Sequence, residues 1–357
     1  MSGRPNKFLG KSINNPLSIR ILMAILVTGG EGYIGSHCVI ALMDAGYDTV
    51  VFDNESTGFA STGRILSGIG SKGKLLGIMK GDLLERKDLD AVFSRYDIDA
   101  AIHFAAFSQV AESMGDPAKY YRNNVGGTMN LLDAMKDHGV KRIVFSSTAA
   151  TYGEPEYVPI DEKHPQNPIN PYGRTKLDIE YMMDDYDRAY GIKSVRLRYF
   201  NVAGADTLGR VGECHDPETH LIPNILKSTF GDGRTFRMFG TDYPTRDGTC
   251  VRDYVNVEDL ADAHILALKY LENGGKTDFF NLGTNEGSTV KEVFAVCEKV
   301  TGKKIPVSEE GRRPGDPATL VADNKKARAV LGWAPSRTLE HSVKTAYDWE
   351  VRRRSEC

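Results

Sequence analysis

The stretch at 28–37, TGGEGYIGSH, constrains this chain more than any other. Gly29, Gly32 and Gly35 form G-x-x-G-x-x-G, a spacing that permits a tight turn and lets another group approach bare backbone. A short apolar run at 24–27, AILV, precedes it and has the character of a buried strand. In SHCVIALMDA, 36–45, Val39, Ile40, Leu42 and Met43 fall on one helical face, and Gly46 ends the run. Strand, glycine turn and helix in that order place free N–H groups and the positive helix end at the turn, which suits a pyrophosphate. Glu31 puts a carboxylate in the middle of this loop. The expectation is that the amides bind the anion while the Glu31 side chain points to solvent or to a nearby cation.

The rhythm continues. DTVVFDN, KLLGIMKGD, IDAAIHFAA, VKRIVFSS and IKSVRLRYFN read as further strands, with helical stretches at 84–95, 120–138 and 172–190 between them. The strands are apolar throughout, as in sheets covered on both faces. This predicts an α/β fold with a doubly wound parallel sheet of the Rossmann type. After Asn201 the chain turns glycine-rich and polar, and helices recur at 257–271 and 289–301. A smaller, irregular α/β lobe is expected there. The predicted division is 23–200 plus about 236–275 for the dinucleotide-binding domain, and about 201–235 plus 276–357 for a substrate lobe. Residues 1–22 carry Arg4, Lys7, Lys11 and Arg20 and no acid. A targeting arm fits that pattern. The favoured expectation is a disordered arm, a cloning remnant or an upstream start, with Met23 as a natural beginning.

Composition excludes several functions. A net charge of -3 leaves no basic footprint for nucleic acid. No apolar run approaches the roughly 18 residues of a membrane span. Five cysteines without a CxxC pair read as reduced intracellular thiols.

Asp53 ends the second strand, where an acid hydrogen-bonds a ribose diol and repels a 2′-phosphate, so NAD is expected over NADP. Asp82, after the third strand, is placed to hold the adenine edge. HFAAFS, 103–108, supplies small residues for close cofactor approach, with His103 read as structural because it lies within an apolar strand. Tyr172 and Lys176 in NPYGRTK stand at i and i+4 of a helix opened by Pro171. A tyrosine near pKa 10 is a poor base at neutral pH, and a neighbouring ammonium stabilises its phenolate. Upstream, FSSTAATYG ends a strand in hydroxyls able to bind a reacting oxygen.

These motifs together, with LRYFNVAGA, FGTDYPTRDGTCVRDYVNVEDLADAH, FNLGT and RRPGDPA, resemble the extended short-chain dehydrogenase/reductases, and among them the UDP-glucose (UDP-galactose) 4-epimerase family, from about 23 to 349. The resemblance implies an isomerase of galactose metabolism that oxidises the sugar at carbon 4 with bound NAD and returns hydride to the opposite face. It implies that Tyr172 is the general base and acid, that Lys176 lowers its pKa and holds the nicotinamide ribose, and that Thr148 binds the 4-oxygen. Cofactor contacts are implied for Gly29, Gly32, Tyr33, Ile34, Gly35, Asp53, Asn54, Asp82, Leu83, Phe104, Ala105, Ala106, Asn123, Lys176 and Tyr199. Asn201, His220 and Leu221 are implied to line the UDP-sugar. Phe239 would flank the uracil, Arg252 and Arg313 would neutralise the phosphates, and Asp316 would hold the uridine ribose. No metal is implied. A cytoplasmic homodimer is, formed through the two long helices, with Met135, Tyr181 and Met182 as outward apolar candidates.

Four positions depart from the family pattern. Thr148 stands where many relatives have serine, Ser108 where many have a lysine that reaches the cofactor phosphates, and His220 where several have asparagine. Leu320 falls at a position whose size sets acceptance of N-acetylhexosamines, leaving UDP-N-acetylglucosamine as an alternative substrate. UDP-pentoses (xylose, arabinose) are a further alternative, since a pocket for them differs only around the missing hydroxymethyl group. Ala149 and Ala150 follow Thr148 where 4,6-dehydratases carry an Asp-Glu pair, which argues against dehydration. A non-catalytic NAD(H) sensor is the remaining alternative, one that would not need Tyr172, Lys176 and the arginines together.

Overall fold

The computed structural model describes residues 24–356 apart from 216, 232, 314 and 315. The expectations for 1–22 and Met23 lie outside the described residues.

Six strands appear in the order predicted: β1 Ala24–Thr28, β2 Thr49–Asp53, β3 Leu75–Lys80, β4 Ile98–His103, β5 Arg142–Thr148 and β6 Lys193–Tyr199. With Asp278–Leu282 they form one seven-stranded sheet in the order 278–282, β6, β5, β4, β1, β2, β3. Every pairing in it is parallel. The order reverses between β1 and β4, and a cleft opens at the strands' carboxyl ends on either side of that switch point.

Both faces are covered. Along β1, Ile25 and Val27 enter one core while Ala24 and Leu26 enter the other, the period-two alternation of a strand between two apolar layers. The first core packs α1 (Tyr33–Asp44) and the helix Val257–Glu272. The second packs α3 (Arg86–Arg95) and the helices Gly127–Asp137 and Pro171–Tyr190. Between the two lies α2 in the chain, Ala60–Ser67, which follows β2.

Several boundaries differ from expectation. Asp278–Leu282 joins the main sheet beside β6, although 276–357 was assigned to the other lobe. Phe280 and Leu282 are fully buried in the first core, which outweighs the strand's short length. Conversely, Phe236–Phe239 pairs with Val307–Glu310 outside the main sheet, and Phe236 and Met238 pack with Ile222 and Val293 in a separate core. The helix expected at 120–138 is broken by a π-turn, Tyr121–Gly126. Met135 is fully buried, so it faces the core and not outward. Tyr181 is 56% exposed, whereas Met182 is half-buried against the second core.

Candidate active site

The glycine loop is held by steric necessity. Gly29 has φ +72°, and a Cβ there would lie 2.6 Å from the Ala105 amide nitrogen. A Cβ on Gly35 would lie 2.1 Å from the Gly29 carbonyl oxygen, so α1 can start directly above the turn only with glycine. No side chain caps α1 at Gly32, which leaves first-turn amides free for an anionic group. This cradle, the small residues Ala105 and Ala106 and an acid at the next strand end fit a dinucleotide.

That acid, Asp53, is nearly buried and accepts from the Glu31 amide at 3.0 Å and the Glu55 amide at 2.8 Å. Burial nonetheless raises its pKa above the usual carboxylate range. Asn54 donates to Asp82 at 3.0 Å, joining the ends of β2 and β3. Asn123 sits in the π-turn, a distortion common at functional sites. The adjacent Asn124 clamps the 104–109 loop by exchanging two bonds with the Phe107 backbone, at 2.9 and 3.0 Å.

His103 is structural, as expected. Thr128 gives its hydroxyl proton to the Asn124 carbonyl at 2.6 Å, so it accepts from His103 Nε2 at 2.8 Å. Nδ1 of His103 then accepts from Thr28 at 2.7 Å. Burial, aided by the Lys176 charge, lowers His103 to about 3 and keeps it neutral.

The Asn170 side chain caps the helix Pro171–Tyr190 by accepting from the Gly173 amide at 2.8 Å, and Pro171 occupies the first turn. Tyr172 and Lys176 follow one turn apart. Tyr172 lies near the Thr148 hydroxyl at the end of β5, which favours its phenolate, yet burial outweighs this and pushes its phenol up to about 12. Lys176 is buried and donates to the Ser146 carbonyl at 2.8 Å, with Nζ 6.0 Å from the Tyr172 ring centre. Burial lowers it to about 7. Tyr199 shares a very short hydrogen bond with Ser146 and has its pKa raised by burial.

One cleft of about 700 Å³ is lined by all the predicted cofactor residues together with Thr148, Tyr172, Asn201, His220, Arg252, Arg313 and Asp316. Leu221 and Phe239 line an adjoining cavity of about 550 Å³ that shares Asn201, His220, Arg252, Arg313 and Asp316 with it. Arg252 is fixed by the carbonyls of Val251 and Pro317 at 2.9 and 2.8 Å and lies 3.6 Å from Asp316. The Arg313 guanidinium stacks 4.0 Å from the Phe239 ring centre. Leu320 packs with Ala149, Tyr152, Ile160 and Phe200 at the sugar end of the cleft. Ser108 lines the cofactor end.

Sequence reasoning missed two groups. Glu180, one turn beyond Lys176, is buried and paired with buried Arg198 on β6, and it accepts from Ser147 at 2.5 Å. This pair fastens the catalytic helix to β5 and β6; its spacing from Lys176 was visible, but its partner was not. Around His220, Glu213, His215 and Glu218 form a tight quartet at the cleft's lip. Against burial, which would lower it, hydrogen bonds to Glu213 and Glu218 push His220 up to about 10. His220 is therefore held protonated between two carboxylates, Glu213 at 2.7 Å and Glu218 at 3.1 Å. The loop anion expected to face solvent also moves: Glu31 is 3% exposed.

A doubly wound sheet with a glycine cradle, an acid at the end of β2 and a Tyr-Lys pair one turn apart on a helix defines an NAD-binding sugar-nucleotide enzyme of the extended short-chain dehydrogenase/reductase class. A family model described as GDP-mannose 4,6 dehydratase matches residues 26–346. UDP-glucose 4-epimerase of Lacticaseibacillus casei is 51% identical over 328 residues, covering 92% of this chain and 96% of that protein. The Brucella ovis UDP-glucose 4-epimerase structure in complex with NAD superposes with TM-score 0.86 at 46% identity, over 91% of this chain and 98% of that one. The Bifidobacterium longum enzyme in complex with NAD+ and UDP gives TM-score 0.88 at 36% identity, over 94% and 100%. The chain belongs to the UDP-glucose 4-epimerase family.

Proposed function

We propose that this protein interconverts UDP-glucose and UDP-galactose, with Tyr172 exchanging the proton of the sugar's 4-hydroxyl. The observation that supports this most is the gathering of Tyr172, Thr148 and, one helical turn on, buried Lys176 in the same cleft as Arg252 and Arg313. NAD, when bound, would supply the hydride acceptor and donor for carbon 4 and a positive charge on its oxidised ring.

The protein's own residues do the rest. Tyr172 sits near 12 by burial alone, so its proton leaves only when positive charge stands nearby. Thr148 holds the 4-oxygen within reach of that phenol. Lys176, anchored on Ser146, is aimed at the cofactor ribose and adds charge to the extent that it is protonated. Asp53 receives the adenosine ribose diol and discriminates against a 2′-phosphate. Arg252 and Arg313 neutralise the UDP phosphates, the arginine forks matching phosphate oxygens in pairs, while His220, held by Glu213 and Glu218, lines the same cleft. Phe239 flanks the uracil and Asp316 takes the uridine ribose. Ala149 and Ala150 leave no acid pair beside Thr148, which separates this chemistry from dehydration despite the family model's description.

The assignment extends to a cytoplasmic homodimer. Exposed Tyr181 on the catalytic helix and exposed Met114 and Met129 on the segment that packs against it support an apolar contact there. Among the described residues, no helix is long and apolar enough to cross a membrane.

Incubation with UDP-galactose and no added cofactor is the test. UDP-glucose should form, and Tyr172→Phe should slow it by roughly a thousandfold, within the usual range for losing a general base. Equal rates for the two proteins would overturn the mechanism.

A further inference from the structure

The Glu31 carboxyl is built into the loop. It is 3% exposed, and its Oε2 has no hydrogen-bond partner. Its other oxygen, Oε1, lies against the Gly63 backbone in α2, whose N–H favours the carboxylate. That contact is close: a Cβ on Gly63 would lie 2.1 Å from Glu31 Oε1 and 2.9 Å from Ile78 Cδ1. The Glu31 amide, meanwhile, donates to Asp53. Gly58 crosses above, where a Cβ would lie 3.2 Å from the Glu31 carbonyl carbon and 3.3 Å from both Asp53 oxygens. One residue thus joins the glycine loop, the ribose-facing acid and the first helix after β2.

We propose that Glu31 is a cofactor-positioning residue that ties the glycine loop to α2 beside the adenosine-ribose seat, and that its protonation state sets how firmly NAD is held. This rests on the NAD assignment above.

The charged groups around it argue in one direction. Asp53 at the end of β2 and Glu55 in the following loop are both acids. Lys80 at the end of β3 is the one cation among the groups acting on it, and it is already paired with Glu55 at 2.6 Å. Burial first, then Asp53 and Glu55, push Glu31 up to about 7. Below that pH the carboxyl is neutral and sits beside Asp53 without repulsion. Above it, a second negative charge stands next to the ribose acid with an unsatisfied buried oxygen. Bound NAD brings a pyrophosphate and excludes water, which raises Glu31 further, so binding takes up a proton. Linkage then requires NAD affinity to fall as pH rises through about 7. The folding contribution has the same sign. With its folded-state pKa raised above the usual 4.5, Glu31 lowers stability progressively as pH rises between 4.5 and about 7.

The test measures NAD dissociation constants of cofactor-stripped protein by titration calorimetry at about pH 6 and about pH 8.5. Wild type should bind roughly tenfold more weakly at the higher pH, one unit of coupling. Glu31→Gln keeps the size and the contact with Gly63 but cannot ionise, and it should lose most of that dependence. Asp53 remains in both proteins, so the difference between them isolates Glu31. Parallel pH profiles for wild type and Glu31→Gln would overturn the proposal, and absence of NAD binding at either pH would overturn the NAD assignment instead. If Glu31→Gln fails to fold, wild type alone decides: an affinity flat from pH 6 to 8.5 refutes the idea.

Discussion

The two ends of the cleft are built by different means. At the cofactor end, the positions are set by strand ends and bare backbone: Gly29 against Ala105, Gly35 against Gly29, and Asp53 held by two amides. At the UDP end, side chains hang from very short strands, Val251–Arg252 between Ser288–Thr289 and Thr319–Leu320. A backbone site tolerates almost no added atom, and its side chains tune it rather than build it. A side-chain site tolerates local change but loses binding one group at a time. The same contrast explains how a carboxylate can sit inside an anion-binding loop. The amides do the binding, and Glu31 turns away into the seam with α2.

The largest effect should come from breaking the backbone end. Gly35→Ala places a methyl 2.1 Å from the Gly29 carbonyl, and backbone atoms cannot step aside as a side chain's end can. The expected loss is about 3 kcal/mol of stability, the upper part of the usual overpacking range, with loss of copurified NAD. Thermal melts and cofactor content check it. A variant that melts and retains NAD like wild type would remove the contrast.

Next comes the side-chain end. Arg252→Ala removes a buried-stemmed cation held by Val251 and Pro317. UDP affinity should fall by about 2 kcal/mol, roughly thirtyfold, the worth of a charged hydrogen-bonding group. NAD content and melting temperature should stay near wild type. If NAD is lost along with UDP, the two ends are not separable units and the comparison must be redrawn.

How much of this the sequence reveals follows the same division. The glycine loop, Asp53 and the Tyr172–Lys176 pair were legible because each depends on local spacing within one strand–turn–helix unit. The strand Asp278–Leu282 was not, since its place beside β6 is decided by Phe280 and Leu282 meeting a core contributed by distant segments. Nor was the inward turn of Glu31. It depends on Gly63 and Ile78, which lie 32 and 47 residues further along the chain (63 − 31 and 78 − 31). Met135 was misjudged because helical spacing gives a face but not which face the sheet takes. The Glu180–Arg198 pair needed the packing of the helix Pro171–Tyr190 on β6, which no local pattern contains.

The smallest effect tests the seam between the two ends. Asn170 caps the catalytic helix through the Gly173 amide, and it also lines the cleft. As a cap, its replacement by alanine should cost about 1 kcal/mol of stability. The first helical turn holds Tyr172, whereas Lys176 is anchored independently on Ser146, so loosening that turn should disturb the phenol more than the ammonium. The expected result is a few-fold lower kcat with KM nearly unchanged, and a matching fall in melting temperature. Asn170→Ser restores a capping oxygen of similar strength and should recover both. If serine recovers the stability but not the rate, Asn170 touches the substrate directly. The boundary between the backbone-built and side-chain-built ends would then run through the catalytic helix itself.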